Sequence, residues 1–299
     1  MKGLELPPTI ESMVELAPWT QYGIGGTARY FCAPRSESEL IEVLRFRHRA
    51  DLPSLILGGG TNTLVSDECF DGLVIVTTAG HDSSQFEDGR AEVTAGTSLA
   101  SLIGPTIRRG WQGLEGFVGI PGTIGGAVWG NAGGVSGGIG TWVEAIRVLE
   151  PDGVAHWISG ETLPWSYRYS GLGDRAITSV RLRLEPGHDP RSLKKRAREI
   201  FQGKRDSQPL SARSAGCVFR NPPGESAGRL IEAAGLKGMA EGGARVSDHH
   251  ANFIVNEGDA TASDVEALIG RVRDRVRQAF GIELEREIVS VQKREGCQR

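Results

Sequence analysis

The chain has 299 residues, 39% hydrophobic and 24% charged, and its 34 Lys and Arg against 37 Asp and Glu leave a net charge of −3. That balance is ordinary for a globular protein of two or three domains, and it excludes a disordered, collagenous or polybasic nucleic-acid-binding chain. No stretch approaches the ~18 consecutive apolar residues of a membrane span, and the opening MKGLELPPTIESMVEL lacks the apolar core of a signal peptide, so the expected location is the cytoplasm.

In chain order, Ser36 followed by Glu39 is a capping-box start and predicts a helix carrying Leu40, Val43 and Leu44. SLIL at 54–57 predicts a short strand running into Gly58, Gly59 and Gly60. LVIVTT at 73–78, the Asp88-Gly89 turn before AEVTAG, and the Pro151-Asp152-Gly153 turn between EAIRVLE and VAHWIS predict antiparallel hairpins. Residues 176–184 alternate as a further strand. After PGHDP a charged helix is expected over 191–201. Its Lys194, Lys195, Arg196 and Arg198 read as a solvated linker face rather than a nucleic-acid site. Ser263 and Glu266 form a second capping box. Val265, Leu268, Ile269, Val272, Val276 and Phe280 then repeat at helical spacing until Gly281, which predicts a core-facing helix. IELEREIVSV is expected to close the fold as a strand, with Ile282, Leu284 and Ile288 on one face and Glu283, Glu285 and Glu287 on the other.

Glycine is the compositional outlier: 42 residues, about twice the ~7% of ordinary chains. Gly110, Gly113, Gly116, Gly119, Gly122 and Gly125 fall every third residue, but apolar side chains lie between them and proline is scarce, so the tract is irregular backbone drawn closely around something. LILGGGTNTLVSD offers successive backbone N–H groups from Gly58 to Asn62, a loop able to curl around an anion or simply to turn tightly. It is neither GxxxxGK[ST] nor GxGxxG, and no lysine stands beside it, which speaks against ATP and Rossmann readings. GIPGTIGGAVWGNAGG, at 119–134, holds seven glycines among mostly apolar residues and suits a flat aromatic cofactor with a diphosphate tail. The cysteines at 32, 69, 217 and 297 show no CxxC pair or zinc spacing, and His249 and His250 lack a third ligand. Neither a disulfide framework nor a metal site is expected.

These two glycine segments, with GIGGTARYF at 23–31, SYRYS at 166–170, QPLSARSAGCVFRNP at 208–222, GGARVSDHHANFIVN at 242–256 and FGIELEREI at 280–288, resemble the UDP-N-acetylenolpyruvoylglucosamine reductase family. The resemblance spans nearly the whole chain in order, and its length and the SAG and HANFIVN segments are similar to the shorter subtype, which lacks a substrate-covering insertion. It implies an α+β fold: a two-part FAD-binding region of the vanillyl-alcohol-oxidase (PCMH) type over 1–190, divided near 75–80, a linker helix at 191–205, and a C-terminal α+β substrate-binding domain at 206–299. It also implies a reaction of bacterial peptidoglycan precursor synthesis, in which NADPH reduces noncovalently held FAD. The flavin then passes hydride to the vinyl carbon of UDP-N-acetylglucosamine enolpyruvate, giving UDP-N-acetylmuramate.

Carried over residue by residue, the resemblance implies Arg168, Cys217 and Glu287 as catalytic residues: a cation for the substrate carboxylate, a proton donor and a second stabiliser of the anionic intermediate. Cys217 stands where many members carry serine, and a thiol with a reference pKa of ~8.5 keeps a proton to donate at neutral pH. Flavin contacts are expected from Ile24, Gly25, Gly58, Gly59, Gly60, Thr61, Asn62, Thr63, Leu64, Gly119, Ile120, Pro121, Gly122, Gly125, Gly126, Ala127, Asn131, Ala132 and Gly133. Substrate contacts are expected from Tyr167, Asn221, Ser247, His250 and Asn252. Without the resemblance, Arg168 reads as a surface cation, Glu287 as one of three solvated carboxylates and Cys217 as a small core residue. Val135, Ile139, Glu68-Cys69 and Arg213 depart from the family's usual residues. A monomer is the default expectation. Two alternatives stay open: the same flavin fold with another substrate, and a non-catalytic nucleotide-sugar or flavin-binding regulator.

Overall fold

The computed structural model describes residues 5–79, 83–134 and 137–291, so Val135 and Cys297 lie outside the described residues. The chain forms two compact units, each assembled from separated stretches. The first comprises the chain up to Ser12, Tyr30–Gly59 and Gly72–Gln202; the second comprises Met13–Arg29, Gly60–Asp71 and the chain from Gly203 onward.

The chain opens with β1 (Ile10–Glu15), β2 (Thr27–Cys32), α1 (Glu37–Arg49), β3 (Ser54–Leu57), β4 (Thr63–Val65) and β5 (Phe70–Val76), of which β1-β2-β5-β3 lie in that order in one sheet. α1 starts where the sequence predicts: the Ser36 hydroxyl accepts the Glu39 N–H at 3.2 Å, while the Glu39 carboxylate takes the N–H of Arg35 at 2.7 Å. Leu40, Val43, Leu44 and Phe46 are buried with Cys32, Leu73 and Ile75. β5 is not a hairpin arm. It pairs parallel with β3, Ser54 opposite Leu73 through Leu57 opposite Val76. The reason is visible in the run itself, since Gly72–Val76 is buried throughout and a strand covered on both faces belongs in a parallel pair.

Next come β6 (Ser84–Glu87), β7 (Arg90–Thr94), α2 (Leu99–Arg108), α3 (Ile124–Trp129), β8 (Gly133–Gly134), β9 (Gly137–Gly138), β10 (Val143–Leu149), β11 (Ala155–Ser159), β12 (Ala176–Arg183) and α4 (Pro190–Ser207). β11-β10-β12-β7-β6 form a five-stranded antiparallel sheet. Its two hairpins turn where the Asp-Gly pairs fall; Asp88 and Gly89 have φ of 42° and 79°, the left-handed pair that a tight two-residue turn requires. Leu99, Phe117, Ile124, Val128, Ile146 and Val180 are fully buried in the core beneath it, each contributing roughly 1.5–3 kcal/mol. Leu193 and Ala197 of α4 join this core, and that helix runs several residues past the expected end at 201.

The second unit adds α5 (Ala227–Ala233), β13 (Ala240–Glu241), β14 (Ala244–Val246), β15 (Ile254–Asn256), α6 (Ala262–Phe280) and β16 (Val289–Val291). β13, β14 and β15 make a three-stranded antiparallel sheet, and β16 lies parallel to β4. The cap of α6 sits two residues earlier than predicted. Thr261 and Asp264 form the reciprocal box, while the Asp67 carboxylate takes the N–H groups of Ala262 and Ser263 at 2.7 and 2.9 Å. Ser263 donates its hydroxyl to Asp67, and Glu266 pairs with Arg286, so neither predicted residue is available for capping. Val265, Leu268, Ile269, Val272 and Val276 are buried as expected, but Phe280 is 40% exposed. Gly281 ends the helix at φ 70°. The predicted strand over 282–291 is regular only at Val289–Val291. Upstream the alternation survives, with Leu284 and Ile288 buried and Glu283 and Glu285 exposed, but only single bridges form there, such as Phe219 to Arg286.

Cys32 and Cys217 are free thiols and Cys69 is disulfide-bonded, against the sequence expectation. Among the described residues no helix is long and apolar enough to cross a membrane.

Candidate active site

In the first unit the glycine tract is shaped by packing. Gly119 and Gly122 hold φ of 76° and 104°, turning the chain into α3. Gly125 lies so close to β7's end that a Cβ would meet that of Ala95 at 2.8 Å, while its N–H donates to the Ala95 carbonyl at 2.9 Å. Thr123 caps α3 by accepting the Gly126 N–H at 3.1 Å, and its hydroxyl sits 2.5 Å from where a side chain at Gly58 would begin. Thr123 escaped the sequence reading, although a threonine three residues before a glycine-alanine run is a helix-start signal. Ile120, Pro121 and Gly126 stay accessible and Ala127 is buried.

SYRYS forms a minimal hairpin. Ser166 and Tyr169 exchange both backbone hydrogen bonds, at 3.0 and 3.1 Å, and leave Tyr167 and Arg168 at the tip. Arg168 holds φ 57°, and its guanidinium lies 5.2 Å from the Tyr167 ring centroid. A Cβ at Gly133 would come within 3.0 Å of Arg168 Nη1, so the structure brings Arg168 against the 131–133 segment. Asn131 is buried at φ 40°; its Nδ2 donates to the Ser166 carbonyl at 2.8 Å and its Oδ1 accepts the Gly140 N–H at 3.0 Å.

In the second unit, Gly60 has φ 60° and sits where a Cβ would be 2.2 Å from the Trp19 carbonyl. Its own carbonyl accepts the Gln21 N–H at 3.0 Å, which fixes the loop before Thr61 and Asn62, both half-buried. Thr63 and Leu64 continue into β4. Ile24 is buried, held by two hydrogen bonds to the Thr20 hydroxyl, and Gly25 packs on Leu16 and Ala17.

Cys217 and Glu287 are both half-buried, and Glu287 is bonded to Val218, the residue that follows Cys217. Val218 donates its N–H to the Asn252 carbonyl and accepts the Glu287 N–H, each at 2.8 Å, while Cys217 bridges Phe253. Asn252, 3% exposed, clamps Phe219 from its side chain: Oδ1 accepts the Phe219 N–H at 2.9 Å and Nδ2 donates to its carbonyl at 2.8 Å. Asn221 Oδ1 accepts the Ala227 N–H at the start of α5. The Ser247 hydroxyl accepts the N–H groups of His249 and His250. His250 Nδ1 accepts the Asn252 N–H at 3.2 Å, and burial, reinforced by Lys237, holds its pKa below the ordinary value. A neutral imidazole with Nδ1 engaged presents Nε2–H as a donor.

The first unit holds a glycine-rich tract against the Arg168 hairpin and the second ties the backbone of Glu287 to Val218, beside Cys217; these are the segments that the sequence resemblance assigns to a flavin-dependent oxidoreductase. The comparisons place the chain in that class. A family model for an FAD-binding domain matches residues 28–159, and one for the C-terminal domain of UDP-N-acetylenolpyruvoylglucosamine reductase matches residues 208–291. The reductase of that name from Gloeobacter violaceus is 41% identical over 92% of this chain and 94% of its own, and that from Moorella thermoacetica 43% over 91% and 90%. The crystal structure of the Thermus caldophilus reductase superposes with a TM-score of 0.81 at 37% identity, covering 95% of this chain and 99% of that one. The chain belongs to the UDP-N-acetylenolpyruvoylglucosamine reductase family, with an α+β fold whose FAD-binding region is of the PCMH type.

Proposed function

We propose that this protein reduces UDP-N-acetylglucosamine enolpyruvate to UDP-N-acetylmuramate with NADPH, in the cytoplasm, as a step of peptidoglycan precursor synthesis. The observation that carries the reading is the FAD-binding domain match at 28–159 beside the match to the reductase's C-terminal domain at 208–291; Arg168, Cys217 and Glu287 are the catalytic residues that the sequence resemblance implies. Ile24 and Gly25, the loop Gly58–Leu64, the segment Gly119–Ala127 and Asn131–Gly133 are proposed to hold FAD; Gly60, Gly119 and Gly122 take the positive φ that keeps side chains out of these loops, and small residues let backbone N–H groups approach a diphosphate.

FAD, when bound, carries hydride from NADPH to the vinyl carbon of the substrate. The chain's residues manage the charge and the proton. Arg168 offers a planar, permanently charged fork to the substrate carboxylate, into which negative charge spreads as hydride arrives. The Cys217 Sγ–H gives its proton to the carbon next to that carboxylate, so that one hydride and one proton complete the two-electron reduction and leave a thiolate to be reprotonated from solvent. Glu287, whose N–H is held by the Val218 carbonyl, is proposed as the second polar group at the site, a role that requires a carboxyl O–H donated to the anion, since an ionised carboxylate would repel it. Tyr167, Asn221, Ser247, His250 and Asn252 are proposed for the sugar nucleotide. Asn252 is proposed to act by holding its neighbours in place, because its side chain is committed to Phe219 and its N–H and carbonyl to His250 and Val218.

The test is one anaerobic titration of the purified protein by visible absorption. A flavin band that bleaches with NADPH and returns with UDP-N-acetylglucosamine enolpyruvate establishes both half-reactions. A band that bleaches but does not return removes the substrate assignment.

A further inference from the structure

We propose that Asn131 is a positioning residue for Arg168: it staples the hairpin carrying that arginine to the glycine tract, and so sets where the guanidinium stands. The inference rests on the reading of Arg168 as the holder of the substrate carboxylate. Three features meet at this side chain. Asn131 is buried, 8% exposed, and holds φ 40°, a conformation that asparagine tolerates better than most residues. Its two polar ends reach different loops: Nδ2 to the Ser166 carbonyl at 2.8 Å and Oδ1 to the Gly140 N–H at 3.0 Å. Finally, Gly138 leaves the space the amide occupies, since a Cβ there would fall 2.4 Å from Asn131 Oδ1.

The Ser166 carbonyl is the base of the hairpin. It already accepts the Tyr169 N–H at 3.1 Å, so the Asn131 amide fills its second lone pair and fixes the orientation of the two-residue tip. Arg168 sits at that tip with φ 57°, a strained conformation for arginine, held by the hydrogen bonds beneath it. Because Nη1 lies against Gly133, two residues from Asn131, the amide ties the guanidinium's hairpin to the segment it faces. Losing the staple frees the hairpin to shift, and a displacement of about 1 Å at a charge-stabilising group costs on the order of 100-fold in rate.

Asn131→Asp separates the two bonds. It keeps tolerance of positive φ and an acceptor for the Gly140 N–H, but sets a carboxylate oxygen against the Ser166 carbonyl. The readout is single-turnover return of the flavin band when NADPH-reduced holoenzyme meets UDP-N-acetylglucosamine enolpyruvate, in wild type, Asn131→Asp, Arg168→Ala and the double variant. The expected result is slowing on the order of 10- to 100-fold by Asn131→Asp when Arg168 is present and less than about twofold when it is alanine. Gly138→Ala, which displaces the amide without changing it, is expected to follow the same pattern and serves if Asn131→Asp fails to retain flavin. Equal slowing in both arginine backgrounds, or none, overturns the proposal while the function stands. Loss of flavin from both variants also overturns it, assigning the segment to the cofactor alone. Failure of wild-type reduced enzyme to respond to substrate removes the functional reading, and this inference with it.

Discussion

The N–H of Glu287 donates to the carbonyl of Val218 across 2.8 Å, which ties the backbone of Glu287 to the residue that follows Cys217. The two residues stand on segments about 70 residues apart, and neither segment can slide past the other without breaking that bond. Asn252 fixes the other edge by taking the Val218 N–H and both backbone groups of Phe219.

That arrangement makes the role of the thiol separable from its scaffold. Cys217→Ala keeps every backbone bond, so NADPH should still bleach the flavin. Return of the band with substrate should slow by roughly 10²- to 10⁴-fold, the usual contribution of a positioned acid. Cys217→Ser should restore much of the loss. Stopped-flow traces of the two half-reactions check both, and normal turnover by the alanine variant would assign the proton to another donor.

The thiols should also differ in reactivity. Cys32 is fully buried in β2 and desolvation pushes its pKa up to about 12, so it stays protonated and inert at pH 8. Cys217 is partly accessible. Iodoacetamide on the native holoenzyme, followed by peptide mass mapping, should label Cys217 and spare Cys32, and saturating sugar nucleotide should slow the labelling. Labelling of Cys32 at a comparable rate would contradict its burial.

How much of this the sequence disclosed depended on the range of the interactions. Helix starts at Ser36 and the turns at Asp88-Gly89 were legible, because they depend on residues a few positions away. Thr261 capping α6 was not, because the competing Ser263 box is dismantled by Asp67 and Arg286, one of them nearly 200 residues distant. The parallel pairing of β5 was hidden for another reason: its continuous apolar run marks burial on both faces but does not name the partner strand. In the site, residue types pointed to Arg168, Cys217 and Glu287 only through family resemblance; nothing local marks Val218 or Ser166, which act through backbone atoms that carry no sequence signature.

Gly60 offers a test of the glycine loop. At φ 60°, with the Trp19 carbonyl 2.2 Å from any Cβ, Gly60→Ala must move backbone against backbone. Overpacking of this kind costs about 1–3 kcal/mol. Lower thermal stability and weaker flavin retention are expected, read by melting temperature and by absorbance after gel filtration. Unchanged values would mean that the loop relaxes freely.

A pH effect follows from Glu37. Its carboxylate makes a two-point contact with the Arg147 guanidinium at 2.8 and 3.0 Å, and hydrogen bonding to Arg147, offset by desolvation, holds its pKa below the ordinary 4.5. A depressed carboxylate stabilises the fold at pH values above its unfolded pKa, and that stability is lost as pH falls through the folded pKa. Glu37→Gln should therefore lower the urea midpoint at pH 7, with the gap to wild type closing below pH 4. A gap that stays constant across that range would show the ion pair to be neutral to stability.

The discontinuous make-up of the second unit has a temporal side. Tyr22, Ile24 and Leu64 belong to a core otherwise made of residues after Gly203. At ~5–20 residues per second, a ribosome that has made β4 needs roughly 10–40 s more to deliver α6 and β16. For that interval those apolar side chains have no permanent home, and Asp67 waits for the amides it will cap. Production in a cell therefore rests on the emerging chain being shielded until its last third arrives, and truncation from the C-terminal side should cost the earliest segments their core as well as the residues removed.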